Sequence, residues 1–220
     1  MTSESPDFDH IARAYRWLEY LTLGPLLART RNCYLGLLHD RSHALILGDG
    51  DGRFTAALLT QNPQIQAEAI DLSRVMLRLL GDRCADHSSR LQTHHCDVRT
   101  FTPVNSPDLV VTHFFLDCLT QPEVDALVDR LTPNLTPNAL WVVSDFRIPD
   151  GLLRWPAWIY IRLLYFAFRL LTGLRTTRLP NYTAALKRHG FKIVASRHRM
   201  AGVLTSEVWQ REVISVVTAD

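Results

Sequence analysis

Between Ala44 and Ser144 the chain alternates short apolar runs with segments of helical length, a rhythm that few architectures accommodate. Ala44–Leu47, Ala67–Ile70, Leu91–Cys96, Leu109–Thr112 and Ala139–Ser144 read as buried strands. Phe54–Leu59, Leu72–Leu80 and Glu123–Leu131 read as the helices between them. Strands apolar on both faces and joined by helices belong to a parallel, doubly wound sheet, because helices cover it on both sides. After this core, Trp155–Leu171 and Tyr182–Arg188 read as helices, and Phe191–Ser196 and Glu207–Val217 as closing strands. Ahead of it Phe8–Leu38 reads as helical, with Ile11, Tyr15, Leu18 and Leu21 on one face and a break at Gly24-Pro25. A length of 220 residues suits one α/β domain.

The first strand runs into Leu47-Gly48-Asp49-Gly50-Asp51-Gly52-Arg53-Phe54. A glycine turn there lets a ligand approach the backbone, and open α/β sheets bind ligands at the carboxyl ends of their strands. By itself the pattern equally marks a structural turn. Asp71 ends the second strand, where a carboxylate would meet ribose hydroxyls, and Asp97-Val98 ends the third, where an acceptor and an amide would read an adenine edge. Taken singly, each Asp is as readily a helix N-cap. Together, at neighbouring strand ends, they point to a ligand that carries a nucleoside. A dinucleotide fingerprint is excluded, since Arg53 stands where it requires glycine, and no Tyr-x-x-x-Lys pair is present.

These residues resemble the class I S-adenosylmethionine-dependent methyltransferase family, and the similarity extends over nearly the whole chain. Phe8-Asp9-His10-Ile11-Ala12 through Tyr15 is similar to the leader helix of its quinone-methylating, small-molecule branch. Gly48–Phe54 resembles the family's first motif, whose glycines lie under the methionine part of the cofactor. Asp71-Leu72-Ser73 with Met76-Leu77 resembles its ribose-binding acidic loop, and Asp97-Val98 its adenine loop. Asp108–Asp117 is similar to the fourth strand and active-site loop, and Leu135–Phe146 to the fifth strand.

The resemblance implies a Rossmann-like, seven-stranded, mostly parallel sheet with helices on both faces and the last strand antiparallel. It implies S-adenosylmethionine as cofactor, held by Tyr15, Gly48, Asp49, Gly50, Asp71, Leu72, Met76, Asp97, Val98 and Thr112. The single domain would divide into a helical lid (residues 1–40), a cofactor-binding core (43–146), a helical substrate cap (151–190) and closing strands (191–217). One position departs from the family: Ile46 stands where members carry an acid two residues before the first motif glycine. Asp49 and Asp51 are the nearest carboxylates.

Methyl transfer from a sulfonium is an in-line displacement of an excellent leaving group, so the protein's task is to align the reactants in a dry pocket. A base is required only for an acceptor that must lose a proton. His113, just past the fourth strand, is the candidate base, and Asp117 would orient it or cap the next turn. Packing, or a hydrogen bond to the cofactor, is the plainer role for His113. Phe114, Phe115 and the aromatic helix at Trp155–Leu171, through Trp158 and Arg162, would line an apolar acceptor pocket. That helix reads as buried, as a cover over a greasy substrate, or as resting on a bilayer with Arg162 and Arg169 towards lipid phosphate.

Net charge is only +2, but Gly151–Ser206 contains no Asp or Glu and ten Lys and Arg. A basic face balanced elsewhere, or a surface that meets an anion, accounts for this equally. Nothing in it indicates nucleic acid. Cys33, Cys84, Cys96 and Cys118 lack metal or disulfide spacing, so no metal is expected. Met1–His10 is polar and acidic, unlike a signal peptide, and Trp155–Leu171 is too short and too charged for a comfortable span. A cytoplasmic enzyme acting on a small lipophilic or aromatic molecule (phenol, quinol or polyketide-like) is the leading expectation. Its alternatives are a methyltransferase of membrane-surface lipids with peripheral membrane contact, and a non-catalytic scaffold that keeps the fold.

Overall fold

The computed structural model describes residues 24–149, 151, 154–172 and 179–212, with side chains omitted at 24 and 164–172. His10, Tyr15 and Tyr20 of the expected lid, and the end of the expected last strand, lie outside the described residues. The elements are α1 (Gly24–Arg31), β1 (His43–Leu47), α2 (Arg53–Gln61), β2 (Gln66–Asp71), α3 (Arg74–Arg83) and β3 (Leu91–His95). They continue with β4 (Leu109–His113), α4 (Gln121–Leu131), β5 (Leu140–Phe146), α5 (Arg154–Thr172), α6 (Tyr182–Arg188), β6 (Phe191–Arg199) and β7 (Leu204–Arg211).

One sheet holds all seven strands in the order β3-β2-β1-β4-β5-β7-β6. β7 runs antiparallel to both of its neighbours, while β1 to β5 are parallel to one another. The order reverses between β1 and β4, so the carboxyl ends of these two strands flank the crevice where such sheets take ligands.

Alternation along the strands sends side chains to two separate cores. Leu45, Leu47, Val110, Trp141 and Val143 pack with Val124, Leu127, Val128 and Leu131 of α4 and with Ala185 and Leu186 of α6. Ala44, Ile46, Leu109, Val111 and Val142 pack on the other face with Tyr34, Leu38 and Phe54, Leu58 and Leu59 of α2. Each such aliphatic side chain contributes about 1.5–3 kcal/mol by burial. Ile46 belongs to this second core. It lies beside Ala69 of β2 and Val111 of β4, 1% exposed. A carboxylate in its place would be stripped of water among Phe54, Leu58 and Val111.

Arg90 at the entrance to β3 ties this face together. Its guanidinium donates to the carbonyls of Leu59 (2.7 Å), Asn62 (3.0 Å) and Ile65 (3.2 Å), closing the end of α2. Arg90→Met is expected to lower the unfolding free energy by about 1–2 kcal/mol, read as a smaller urea midpoint at constant slope.

The closing strands differ from expectation in extent. β6 continues three residues past Ser196, with an irregularity between Ile193 and Ala195, and β7 begins at Leu204, three residues before Glu207. Pairing with β5 decides this: Phe146 faces Leu204, and the hydroxyls of Ser144 and Ser206 meet at 2.8 Å inside the sheet.

Candidate functional site

β1 ends against the glycine turn. Gly48, Gly50 and Gly52 all have positive φ, and the Gly48 N–H donates to the Ile70 carbonyl of β2 (3.0 Å), which holds the turn beside Asp71. A side chain at Gly48 would collide with the Phe115 ring at 2.3 Å. At Gly50 the nearest atom is the Met76 sulfur at 4.0 Å, so this glycine faces open space beside the start of α3. That bare backbone is where a ligand could lie.

The two carboxylates of the turn have separate tasks. Asp51 accepts from Arg53 (3.1 Å) and Arg83 (3.0 Å) and fastens the turn to α3. Asp49 Oδ2 accepts from the Thr55 amide (2.9 Å) and hydroxyl (2.7 Å) at the start of α2, while Oδ1 is buried with no hydrogen-bond partner. Burial raises the Asp49 carboxyl above its usual range against the pull of the Thr55 bonds and Arg31.

Asp71 ends β2, half-buried, and its Oδ1 accepts from the Ser73 amide (2.8 Å). Ser73 in turn caps α3 by accepting from the Met76 amide (3.2 Å), and the Leu72 carbonyl meets the His95 ring (2.9 Å). Local turn bonds thus fix the acidic loop. At the end of β3, Asp97 is clasped by the Arg99 guanidinium and accepts from the Arg99 amide (2.8 Å). Arg99 also reaches Glu123 (2.8 Å). The bonds from Arg99 hold the Asp97 carboxyl below the usual range in spite of partial burial. Val98 is buried, and its carbonyl accepts from Arg130. Thr112 lies in the sheet, where its hydroxyl accepts from the Trp141 indole (3.1 Å).

His113 closes β4. Its ring is 3% exposed, packs edge-on against Phe54 at 4.4 Å between centroids, and has neither nitrogen hydrogen-bonded. Burial, with Arg31 adding to it, holds the imidazole well below its ordinary pKa, so it is neutral at physiological pH. Phe114 follows with φ 52° and donates its amide to the Ser144 carbonyl (2.7 Å). This strained residue turns its ring onto Phe146 (5.4 Å) and under the Arg31 guanidinium (5.2 Å).

Asp117 is buried next to Asp145, the penultimate residue of β5. Asp145 accepts from the Asp117 amide (3.2 Å) and the Phe146 amide (2.8 Å), and the Cys118 thiol donates to Asp117 (3.5 Å). Desolvation and the Asp117 charge push the Asp145 carboxyl well above the normal range.

An apolar wall forms from Phe114, Phe146, Ala157, Ile161, Leu204 and Leu27 of α1. α5 contributes to it through Ala157 and Ile161. Trp158 and Arg162, expected to face a substrate, point outward instead, with the Arg162 guanidinium 4.8 Å from the Trp158 ring. The reason is size: the small Ala157 allows close packing of the helix on Phe114 and Phe146. Arg31 and Asp145 also belong to this corner, although neither was expected there from the sequence.

Residues 45–141 match the family model described as a methyltransferase domain. No curated protein is significantly similar in sequence. Among solved structures, the chain is similar to an O-methyltransferase family protein from Burkholderia thailandensis, with TM-score 0.71 and 16% identity over 91% of this chain and 59% of that one. It is also similar to the mitomycin 7-O-methyltransferase MmcR (TM-score 0.70, 16% identity, 93% of this chain and 59% of that one). A third likeness is to the N-methyltransferase NodS from Bradyrhizobium japonicum WM9 in complex with S-adenosyl-l-homocysteine, at TM-score 0.62 and 16% identity over 84% of this chain and 87% of that one. The chain therefore spans 59% of the length of the first two. At these identities the likeness is one of fold, and that fold is Rossmann-like.

Proposed function

We propose that this chain, whose residues 45–141 match the model of a methyltransferase domain, is a class I S-adenosylmethionine-dependent methyltransferase that transfers a methyl group to the oxygen or carbon of a small lipophilic or aromatic acceptor. The observation that carries this reading is the register of the strand ends. Leu47 lies opposite Ile70 of β2 and Thr112 of β4, so the bare backbone at Gly50, the Asp71 carboxylate and the His113–Phe114 corner meet at one edge of the sheet.

The cradle suits the cofactor in two respects: Gly50 leaves open backbone, and Asp49 Oδ1 is a buried acceptor without a hydrogen-bond partner. Bound there, S-adenosylmethionine supplies a methyl group on a sulfonium. Asp71, at the carboxyl end of β2, accepts the ribose hydroxyls. Leu72, Met76 and Val98 flank the nucleoside, and Asp97, held by Arg99, presents a fixed acceptor to the base. Arg31 provides the cation for a ligand carboxylate.

Phe114, Phe146, Ala157 and Ile161 form the acceptor wall and exclude water, which favours an apolar or aromatic molecule. The neutral His113 imidazole takes the proton of a hydroxyl acceptor. Asp117, with Asp145, shapes the corner that follows it. One structural neighbour is named for the methylation of a small molecule, mitomycin, at its 7-oxygen.

Calorimetric titration with S-adenosylmethionine and S-adenosylhomocysteine tests the reading. Micromolar binding of both is expected. Asp71→Ala should weaken it by about 1.5–3 kcal/mol, roughly 10- to 150-fold, for two hydrogen bonds to a charged group. An unchanged affinity would remove Asp71 from the site. Failure of the wild-type protein to bind either ligand would leave a scaffold that has kept the fold.

A further inference from the structure

The outward face of α5 is unlike the rest of the surface. Nine large hydrophobic side chains are exposed among the described residues, and four of them lie on this one helix: Trp155 (68%), Trp158, Ile159 and Leu163 (64%). Their spacing of three, four and eight from Trp155 places them in one stripe. At 100° per residue that stripe is opposite Ala157 and Ile161, which face the protein and are each 5% exposed. The helix is thus apolar on both sides, and among the described residues only the inner side has a partner.

Arg162 falls within the outer stripe. Its guanidinium is stacked on the Trp158 ring, and the Trp155 and Trp158 rings meet edge to face at 6.1 Å. Tryptophan with stacked arginine is the combination that suits a bilayer's interfacial zone, where an amphipathic ring lies at headgroup level and the guanidinium meets phosphate. Charge agrees. Gly151–Ser206 holds ten basic residues and no acidic one, whereas the rest of the sequence is net acidic. Among the described residues no helix is long and apolar enough to cross a membrane, so α5 would lie on the surface.

We propose that the Trp155–Leu163 face of α5 docks the protein on an anionic lipid bilayer. The docking stands on the exposed face alone. The access it gives a lipophilic acceptor, which would enter from the bilayer beside the same helix whose inner face forms the pocket wall, rests on the function proposed above.

Co-sedimentation of the full chain with phosphatidylcholine vesicles, and with vesicles that also contain phosphatidylglycerol, is the test. Binding to the anionic vesicles should exceed binding to the neutral ones by about tenfold or more and weaken with added salt. Trp155→Ser with Leu163→Ser should reduce it by about tenfold or more. Both side chains lie outside the cores, so circular dichroism and the melting temperature should be unchanged. Three results would overturn the proposal: no binding of the wild-type chain to anionic vesicles, equal binding by the double variant, or a salt-insensitive preference for neither composition. So would self-association without vesicle binding, if the double substitution dissolves it, since a second copy would then cover the stripe. Loss of cofactor binding with vesicle binding intact would instead defeat the enzymatic reading and spare this one.

Discussion

Alanine at position 52 is expected to lower the unfolding free energy by about 2–5 kcal/mol, through left-handed backbone strain and overpacking together. Gly52 has φ +77° and begins α2, accepting from the Ala56 amide at 2.9 Å. A Cβ there would stand 2.6 Å from Leu80 Cγ and 2.8 Å from Leu80 Cα. The second contact is with backbone, so the clash cannot be relieved by a rotamer. It would push α3 away from α2, and Leu80 is part of the core that contains Phe54 and Leu58. Gly50→Ala provides the contrast. Its Cβ would meet nothing nearer than 4.0 Å, so only the backbone term of about 1–2 kcal/mol applies, and its larger effect should fall on cofactor affinity. Urea unfolding of both variants at constant slope separates the two. Equal stability of Gly52→Ala and the wild type would mean that α2 and α3 are not packed as closely as the turn requires.

The strands that read clearly from the sequence are those buried on both faces. β1, β4 and β5 are apolar almost throughout, and their expected and observed limits differ by one or two residues. Only the start of β7 was hidden, because Thr205 and Ser206 look like a loop; with Glu207 they are buried through the ladder to β5, the Ser144–Ser206 bond and the Trp209 and Tyr182 bonds to Glu207. The glycine turn and Asp71 were legible for another reason: chemistry at a strand end is set by the chain's own order. Which way α5 faces was not legible. Its sequence is apolar around most of its circumference, and periodicity defines a stripe without saying which stripe the protein covers. Arg31 gives no local signal either, since only tertiary packing brings it over Phe114. Asp145 did offer one, a lone acid closing the run Leu140–Phe146. Its role, holding the Asp117 amide, depends on a loop that returns from β4.

His113→Phe is expected to slow methylation of a hydroxyl acceptor by roughly 10²- to 10⁴-fold, the range of a lost general base, with cofactor affinity nearly unchanged. Phenylalanine keeps a ring against Phe54 and removes both nitrogens, so the comparison isolates the proton. The pH dependence follows from the environment of the imidazole, which is Phe54, the Arg31 cation and the interior of the sheet edge. Burial, reinforced by Arg31, lowers its pKa well below 6.5. Wild-type turnover should therefore be level through neutral pH and fall only on the acid side, well under 6.5, where the imidazole takes up a proton of its own. Stability changes in the same direction. In the unfolded chain the residue protonates near 6.5 and in the folded protein it does not, so stability present above that pH is lost as the pH falls below it. Asp49 and Asp145, whose pKa values are raised, act in the opposite sense, with the folded state gaining as the pH falls through their folded values. They are common to both proteins and cancel in the difference. The acid-unfolding midpoint of His113→Phe should thus lie at lower pH than that of the wild type. If turnover is unaltered while that midpoint still moves, His113 is a core residue and the acceptor needs no base. If cofactor affinity collapses instead, its unpartnered nitrogens belong to the cofactor's site, and the proton must leave by another route.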